Sequence, residues 1–551
     1  MEIKEGYMPF MGYQTYYRNE VNAMLRIDQL RLLPDESEDV LLHKCARLLR
    51  VAPSALTGLT VLRRAIDARE SLTFVYTVAV SAPQEAALLR RCRDKRVTAY
   101  TPEQYALPAP VSPPEVRPIV VGAGPAGLFA ALVLAKCGAR PILLERGQCV
   151  EQRQRDVQCF WATGELDTES NVQFGEGGAG AFSDGKLNTG TRDLRHRLIM
   201  EELVSCGAPE SILTDALPHV GTDKLHIALQ TLRRQLLALG ADIRFGARLE
   251  GLTVQDDALT AVTVRQGEQL YTLPARQVVL ALGHSARDTF EMLYDAGVAM
   301  EQKPFAMGVR IEHRQSAVDA ARYRRLAGHP SLPPATYKLS CHLPNGRSAF
   351  SFCVCPGGQV VAAASETRRV VTNGMSEYAR DGENINGALL VNVTPADFPD
   401  EHPLAGIRLQ RQLEDAAFAL GGGDYRAPCQ RVEDFLAGRP STGPGNVQPS
   451  YLPAVTYTDL HRCLPPFISE TLALALPELG RRLRGYDDPD ALLTGVETRS
   501  SSPVRLVRDE HYEANIRGVY PCGEGAGYAG GILSAAADGM RCAEKILEVY
   551  R

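Results

Sequence analysis

The stretch IVVGAGPAGLFAALVLAKCGARPILLE, residues 119–145, decides the fold of this 551-residue chain. It begins with an apolar strand, Ile119–Val121, of the kind that is buried on both faces in a parallel sheet. The glycine-rich turn Gly122–Gly127 and a helical run to Lys136 follow, and a second apolar strand ends at Glu145. This order of strand, turn, helix and strand predicts a Rossmann-like domain that binds a dinucleotide.

Each glycine of this turn has a mechanical purpose. Gly122 permits the tight turn between strand and helix, and Gly124 lets backbone amides approach a pyrophosphate. Gly127 brings the helix against the strand, and the pyrophosphate rests at the helix N-terminus beside Pro125 and Ala126. The turn is therefore predicted to hold the phosphate half of the dinucleotide.

Glu145 ends the second strand, where a carboxylate accepts hydrogen bonds from an adenosine ribose. The same carboxylate repels a 2′-phosphate, so we expect this site not to hold NADP. Residues 175–180 and 525–530 also match the string G-x-G-x-x-G. Only residues 122–127 have a strand before them, a helix after them and an acid beyond, so only they carry the full dinucleotide pattern.

A glycine-rich segment near the C-terminus favours FAD over NAD. A strand at residues 518–522 leads into Gly523–Ile532, and an alanine-rich helix follows. Bound FAD requires such a segment far along the chain, because Glu524 can bind the ribityl hydroxyls and the helix N-terminus can face the flavin. The positive end of the helix dipole stabilises the negative charge that reduction places on the ring. We therefore expect FAD.

Proline content and hydrophobic periodicity divide the chain into segments. Prolines between Thr101 and Pro118 keep this part extended, which is typical of a linker. The β-α-β-β-α order before it suggests a ferredoxin-like sandwich. The predicted fold class is α/β and α+β, with a mixed β/α substrate domain inserted into the FAD-binding domain. The predicted boundaries are 1–23 for an extension, 24–100 for the ferredoxin-like domain, 101–116 for the linker, 117–290 and 491–551 for the FAD-binding domain, and 291–490 for the substrate domain.

Composition excludes several classes of protein. The net charge of −5 gives no basic excess, so we expect no nucleic-acid partner. The apolar stretches are too short to span a bilayer, and the N-terminus lacks the pattern of a signal peptide. Thirteen cysteines lie scattered without disulfide-scaffold or zinc spacing. They indicate reduced thiols in a cytoplasmic protein without a metal site.

Further stretches carry a resemblance to a known family, among them NVQFGEGGAGAFSDGKLNTG (171–190), SFCVCPGGQVV (351–361) and GVETRSSSPVRLVRD (495–509). Together with the stretch around 119–145, they resemble the bacterial FAD-dependent dehydrogenases of the glutathione-reductase superfamily. The resemblance extends over most of the chain. It implies bound FAD and an inserted substrate domain, but no assigned substrate.

The resemblance also implies which positions hold the cofactor. The glycine turn and Glu145 would hold the ADP half, with Arg146 and Arg153 near the pyrophosphate. The loop after residue 177 would face the edge of the isoalloxazine ring, and the C-terminal segment would complete the pocket. The full predicted set is Gly122, Gly124, Pro125, Ala126, Gly127, Glu145, Arg146, Arg153, Gly178, Ser183, Asp184, Gly185, Lys186, Gly283, Gly523, Glu524, Gly530, Gly531 and Ile532.

No catalytic residue follows from the sequence, although Lys186, His284 and Cys355 are candidates. Cys353 and Cys355 form Cys-x-Cys, which on a regular strand separates the thiols by about 7 Å. That spacing is too wide for an unstrained disulfide, so the two cysteines either line a substrate pocket and pack or take part in chemistry. A two-residue turn at Asn345-Gly346 would place Cys353 opposite Lys338 in a hairpin. Arg499 could bind a substrate carboxylate or form a structural ion pair.

The predicted activity is that of an FAD-dependent oxidoreductase, a dehydrogenase or reductase acting on an unassigned small organic substrate. The chain shows no second unit of strand, glycine turn, helix and acid, so we expect no dedicated NAD(P) domain. NAD(P)H would then be a transient electron donor in the same pocket, or a partner protein would supply the electrons. The alternatives are a flavin-dependent monooxygenase and a non-catalytic flavoprotein with a structural or sensory FAD.

Overall fold

The computed structural model describes residues 24–551, and the predicted N-terminal extension, residues 1–23, lies outside them. Contacts divide the chain into two units. The first contains the described residues up to Gln104 together with Leu213–Ala216, and the second contains Tyr105–Ile212 and Leu217–Arg551. No helix in residues 24–551 is both long and apolar enough to cross a membrane.

The first unit is one antiparallel sheet with two helices. Its elements are β1 (Met24–Leu32), α1 (Val40–Leu49), β2 (Thr57–Asp67), β3 (Thr73–Ser81), α2 (Glu85–Arg91) and β4 (Val97–Tyr100). The strand order is β2-β3-β1-β4, which is the order that a ferredoxin-like β-α-β-β-α-β chain produces. Leu25, Ile27 and Val78 form its core with Leu41 of α1. The segment 213–216 lies beside β2, where Arg64 pairs with Asp215.

The second unit begins with the elements that the glycine turn predicts. They are β5 (Ile119–Val121), α3 (Pro125–Lys136), β6 (Ile142–Leu144), α4 (Val150–Thr163), α5 (Arg195–Ser205), α6 (Thr222–Ala238), β7 (Asp242–Arg244), β8 (Ala247–Gln255), β9 (Ala258–Gln266), β10 (Gln269–Pro274), β11 (Val278–Leu280) and α7 (Arg287–Asp295). The strands β8, β9 and β10 form a separate antiparallel sheet.

The middle of the chain contributes strands and helices that cover this part. They are β12 (Met300–Gln302), β13 (Phe305–Arg314), α8 (Gln315–Tyr323), β14 (Ser340–His342), β15 (Ser348–Cys355), β16 (Gln359–Ala362), β17 (Thr372–Met375), β18 (Asn384–Val393), α9 (Ala405–Gly421), β19 (Ala427–Arg431), α10 (Val432–Leu436), β20 (Val455–Tyr457), α11 (Pro466–Arg482) and β21 (Leu492–Glu497). The chain ends with β22 (Val504–Leu506), β23 (Val519–Pro521) and α12 (Ile532–Val549).

Five parallel strands form the Rossmann-like sheet, in the order β23-β11-β5-β6-β7. The C-terminal strand β23 thus lies beside β11, and β11 lies beside the first strand of the glycine-turn unit. Helix α3 is buried along Ala126–Ala135, because α12 packs closely against it. The predicted α/β class with a parallel sheet is confirmed.

Seven strands form the sheet of the covering domain, in the order β14-β15-β18-β13-β21-β19-β20. Strand β21 pairs with β13 and β19 in this sheet, so the predicted boundary at residue 491 assigned it to the wrong domain. The FAD-binding part resumes only after Glu497. Strand β22 then returns to pair with β12.

The hairpin between β14 and β15 differs in register from the prediction. Cys341 pairs with Ala349 and His342 pairs with Ser348, one position away from the predicted pairing. The reason is a longer loop, because the backbone of Leu343 bonds to Arg347 and leaves three residues in the turn. Cys353 is therefore not placed opposite Lys338.

We expect Gly539→Ala to destabilise the protein, because a Cβ at this position of α12 would lie 2.0 Å from the carbonyl oxygen of Ala126 in α3. Overpacking of this kind costs about 1–3 kcal/mol. Chemical denaturation followed by circular dichroism measures the loss. Gly443→Ala is the matched control, since a Cβ there meets no atom within 4 Å. Equal stability of the two variants would contradict the close packing of α3 and α12.

Candidate functional site

A long cleft runs along the ends of the parallel strands, with about 1840 Å³ of empty space, open solvent included. Of the predicted cofactor residues, only Gly127 and Arg153 lie outside its lining. The predicted residues that do line it are Gly122, Gly124, Pro125, Ala126, Glu145, Arg146, Gly178, Ser183, Asp184, Gly185, Lys186, Gly283, Gly523, Glu524, Gly530, Gly531 and Ile532. Folding therefore brings together segments that are as far apart in the chain as Gly122 and Ile532.

The glycine turn owes its shape to close contacts between backbones. Gly122 has a φ of +101°, and a Cβ there would lie 2.5 Å from the carbonyl oxygen of Ala281. A Cβ at Gly127 would lie 1.8 Å from the carbonyl oxygen of Gly122. Gly127 thus fixes the turn from beneath without reaching the cleft, which is consistent with its predicted mechanical purpose.

The N-termini of α3 and α12 both lie at the cleft. Gly124 precedes α3 and Gly531 precedes α12, so no side chain covers either end. Backbone N–H groups in the first turn of a helix have no partner within the helix, and the dipole adds partial positive charge. The cleft therefore presents two separate positive ends to an elongated, negatively charged ligand.

Glu145 holds the turn and the neighbouring loop in place. Its Oε2 accepts a hydrogen bond from the Ala123 N–H at 2.7 Å, and its Oε1 accepts bonds from the N–H groups of Gly147 and Gly175 at 2.9 Å each. The carboxylate lies at the edge of the cleft, and its contact with a ribose stays a prediction.

Arg146 lines the cleft, but its charge is already paired. The guanidinium bonds to Glu169 at 2.9 Å and to Asp288 at 2.8 Å, and it stacks on Phe174. Arg153 is fully buried beneath the cleft, where it donates to carbonyl oxygens of residues 171–176. The structure thus places Arg153 as a support for the loop rather than beside a pyrophosphate, because each of its three nitrogens already donates to a carbonyl oxygen.

His284 and Glu524 face each other across the cleft wall. The His284 Nδ1 lies 3.4 Å from the Glu524 Oε1, and His284 is buried. Sequence reasoning named both residues but did not predict that they would meet. The pairing follows from β11 and β23 being neighbours in the sheet, since each residue lies just beyond the end of its strand.

The loop predicted to face the flavin ring is anchored from below by Asp184. This carboxylate is buried and bonds to Arg380 at 2.6 Å, and the Ser376 hydroxyl donates to it as well. Lys186 lies 2.9 Å from Asp184 with its ammonium group enclosed. The loop therefore brings a fixed positive charge to the cleft.

Beside Lys186, the covering domain contributes residues that the sequence did not single out. Glu497, Asn373 and Phe352 line the cleft together with Cys353. Burial raises the pKa of Glu497 to about 7, although Arg310 lies only 3.3 Å away and opposes the shift. A carboxyl group with this pKa can hold or release a proton near neutral pH. The position of Glu497 at the end of β21 could have indicated this residue. The predicted boundary, however, assigned β21 to the FAD-binding domain rather than to the covering domain.

Arg499 also lines the cleft, where it forms the ion pair that was one of its two predicted purposes. Its guanidinium bonds to Glu414 at 2.9 Å, and Glu414 bonds on its other side to Arg287 at 2.7 Å. Both arginines and the glutamate are almost fully buried. The pKa of Glu414 is held well below its usual range, because these two guanidinium groups outweigh burial.

Part of the cleft wall consists of glycine backbone without side chains. Gly283, Gly530 and Gly531 have nothing within 4 Å of a notional Cβ, so this part of the lining is open backbone. Gly124 and Gly178 face each other, with a Cβ on Gly178 falling 3.1 Å from the Gly124 Cα. A ligand can therefore approach the backbone closely at the glycines whose notional Cβ meets no atom.

Comparisons with known families agree with this geometry. Residues 117–180 match a family described as an FAD binding domain, and residues 304–500 match "FAD-dependent protein, C-terminal domain-like". Residues 24–81 match a domain of unknown function, DUF8436. The prediction of FAD as the cofactor is confirmed by the match to the FAD binding domain.

An uncharacterized protein of Clostridium beijerinckii is 44% identical over 531 residues, covering 96% of this chain and 99% of its own length. Among solved structures, a variant of the E. coli quinol fumarate reductase FrdA is 14% identical, with a TM-score of 0.37, over 80% of this chain and 71% of that one. The FAD-bound glycerol-3-phosphate dehydrogenase of Bacillus halodurans is 13% identical, with a TM-score of 0.34, over 80% and 65%.

We expect Gly283→Leu to weaken FAD binding at least tenfold, which corresponds to about 1.4 kcal/mol. The new side chain would extend into open space of the cleft without backbone strain. The FAD content of the purified variant, read from its absorbance, measures the effect. Gly443→Leu, at an open position outside the lining, should retain full FAD. If Gly283→Leu retained its full FAD content, the cofactor would have to bind away from Gly283.

Glu497 makes a specific prediction about pH. Its pKa is about 7 in the folded protein against 4.5 for the ordinary group, so the folded state holds an extra proton between these values. Stability is then lost as the pH rises, by about 1.4 kcal/mol per pH unit over this range. Denaturant unfolding of wild type and Glu497→Gln at pH 5, 6, 7 and 8 should give a shallower pH dependence for the variant. Parallel curves would show that Glu497 is already ionised at pH 5.

Proposed function

We propose that this chain, which belongs to the same family as its C. beijerinckii relative and contains matches to two FAD-dependent family models, is an FAD-dependent oxidoreductase of the glutathione-reductase superfamily. It passes electrons between a transient donor and a small organic substrate. The observation that carries the proposal is the composition of one end of the cleft. There Lys186, Cys353 and Glu497 line the same space as the N-terminal segment of α12.

The two ends of the cleft suit the two halves of FAD. Gly124, Pro125 and Glu145 form the end that would hold the ADP half, at the N-terminus of α3. Gly283, Glu524 and Gly531 form the end that would hold the flavin, at the N-terminus of α12. When bound there, FAD supplies hydride or electron transfer at a ring that the protein orients and shields.

The chain's own residues supply charge and a proton at the flavin end. The N-terminus of α12 and the ammonium group of Lys186 both favour the negative charge that accompanies reduction. The Glu497 carboxyl holds a proton near neutral pH, since its pKa is about 7. Asp184 and Arg380 fix the loop that carries Lys186, so the positive charge is preorganised.

The covering domain determines what reaches this end. Phe352 is 39% exposed, and together with Asn373 and Cys353 it brings part of the seven-stranded sheet to the cleft. The remaining space is shared, because residues 24–551 contain no second parallel sheet with a glycine turn that could hold a nicotinamide nucleotide. Donor and substrate therefore use the same opening in turn, or a partner protein delivers the electrons.

Anaerobic mixing of the FAD-loaded protein with NADH or NADPH tests the proposal. We expect one of them to bleach the oxidised flavin absorbance, and an organic acceptor to restore it faster than air does. Gly443→Leu should react like wild type, because its substitution lies away from the cleft.

If neither nicotinamide reduces the FAD, the two-substrate scheme is wrong and a protein donor is required. If dithionite reduces the FAD but no metabolite reoxidises it faster than air, the protein is a non-catalytic flavoprotein with a structural or sensory FAD. Oxygen-dependent hydroxylation of a substrate would identify a monooxygenase instead.

A further inference from the structure

The strand β15 ends in a bulge at the Cys-x-Cys sequence. Phe352 pairs with Ala388 and Cys355 pairs with Asn386, so Cys353 and Val354 together face one residue of β18. Cys353 has a φ of +41°, in the left-handed region that residues other than glycine rarely adopt. The structure places this unfavourable conformation on a cysteine at the wall of the cleft.

The bulge changes how the two thiols relate to each other. On a regular strand they would be about 7 Å apart on the same face. Here the Cys355 thiol donates to the carbonyl oxygen of Cys353 at 3.3 Å, and the two thiols lie close enough for each to shift the pKa of the other. Cys355 is fully buried, whereas Cys353 is partly exposed and lines the cleft. One thiol therefore faces the cleft, and the other lies directly behind it.

Positive charge is directed at this pair. Arg310 is fully buried, and its Nη2 donates to the Cys353 carbonyl at 2.8 Å and lies 3.7 Å from the Cys355 Sγ. Only glycine at 374 leaves room for this guanidinium, since a Cβ there would lie 1.9 Å from its Nη2. Lys186 approaches the same pair from the loop of the FAD-binding domain.

The environment distinguishes Cys353 from the other buried cysteines. The neighbouring Cys355 thiol lowers the pKa of Cys353, and the charges of Lys186 and Arg310 lower it further against the effect of burial. Burial instead raises the pKa of Cys429 and of Cys463 to about 12 each. Those two thiols are inert packing residues, while a thiol with a lowered pKa at an accessible wall is reactive.

A metal site does not explain the pair. Across residues 24–551, no three side chains of histidine, cysteine, aspartate or glutamate are grouped so as to hold a metal ion. The groups that surround the two thiols include two cations, Lys186 and Arg310, which would repel one. Packing alone does not explain the pair either, because a regular strand could bury the same apolar side chains without a cysteine in the left-handed region.

We propose that Cys353 and Cys355 are a redox-active dithiol that exchanges two electrons with FAD bound in the same cleft. This rests on the proposed function, because it requires FAD at the flavin end. In the reduced pair Cys353 is a thiolate and Cys355 a thiol. Oxidation forms the Sγ–Sγ bond, releases the proton of Cys355 and transfers two electrons to oxidised FAD. Atoms and charge balance when FAD takes up the electron pair and that one proton, and the reverse step reduces the disulfide.

An anaerobic dithionite titration of the oxidised, FAD-loaded full chain counts the electrons. FAD and the disulfide each accept two electrons, so wild type should consume four electrons per FAD. Cys353→Ser and Cys355→Ser should each consume two. Cys159→Ser removes an exposed cysteine of α4 and should still consume four.

A second measurement on wild type does not depend on flavin activity or on folding of the variants. The chain is equilibrated with oxidised and reduced glutathione, alkylated and mapped by mass spectrometry. We expect the peptide that contains residues 353 and 355 to lose two hydrogens and both alkylation sites in the oxidised buffer.

The outcomes separate the two proposals. Full FAD content with an uptake of only two electrons, together with both thiols alkylated after oxidation, would overturn the dithiol and leave the proposed function standing. A wild-type protein without FAD, visible in its spectrum before any titration, would overturn both. Four-electron uptake that persists in Cys355→Ser would assign the extra electrons to another group and also overturn the dithiol.

Discussion

The cleft depends on places where backbone meets backbone without any side chain between them. Gly122 lies against Ala281, Gly127 lies against Gly122, and Gly539 lies against Ala126. These contacts bring β5, β11 and the C-terminal helix α12 together, so that two helix N-termini reach one cleft. Without them the positive ends of α3 and α12 would not lie where one elongated ligand could contact both.

Much of this arrangement could be predicted from local sequence. Strand β5 has the predicted bounds and helix α3 ends at the predicted Lys136, although it begins at Pro125 within the predicted turn. Both were predictable because an apolar strand, a glycine turn and a helix are specified by consecutive residues. The C-terminal strand and helix were predicted for the same reason. The expectation of FAD implied that this C-terminal segment and the glycine turn share one cleft. The strand order β23-β11-β5 is the physical cause, because it places the two segments close together in one sheet.

Other features depend on contacts that no local pattern contains. The assignment of β21 failed because its partners β13 and β19 are far away in the chain. The register of the β14–β15 hairpin changed by one residue, since the loop is one residue longer than Asn345-Gly346 alone suggests. Arg153 was expected near a phosphate, yet carbonyl oxygens of residues 171–176 surround it. The same limits hid Glu497 and the bulge that brings the two thiols together.

The direct test of the central claim is an experimental map of the native chain saturated with FAD, by crystallography or electron cryomicroscopy. We expect density for one stretched FAD along the cleft, with its phosphates near Gly124 and its ring near Gly283 and Gly531. Density for FAD at another surface, or an empty cleft at saturating FAD, would contradict the claim.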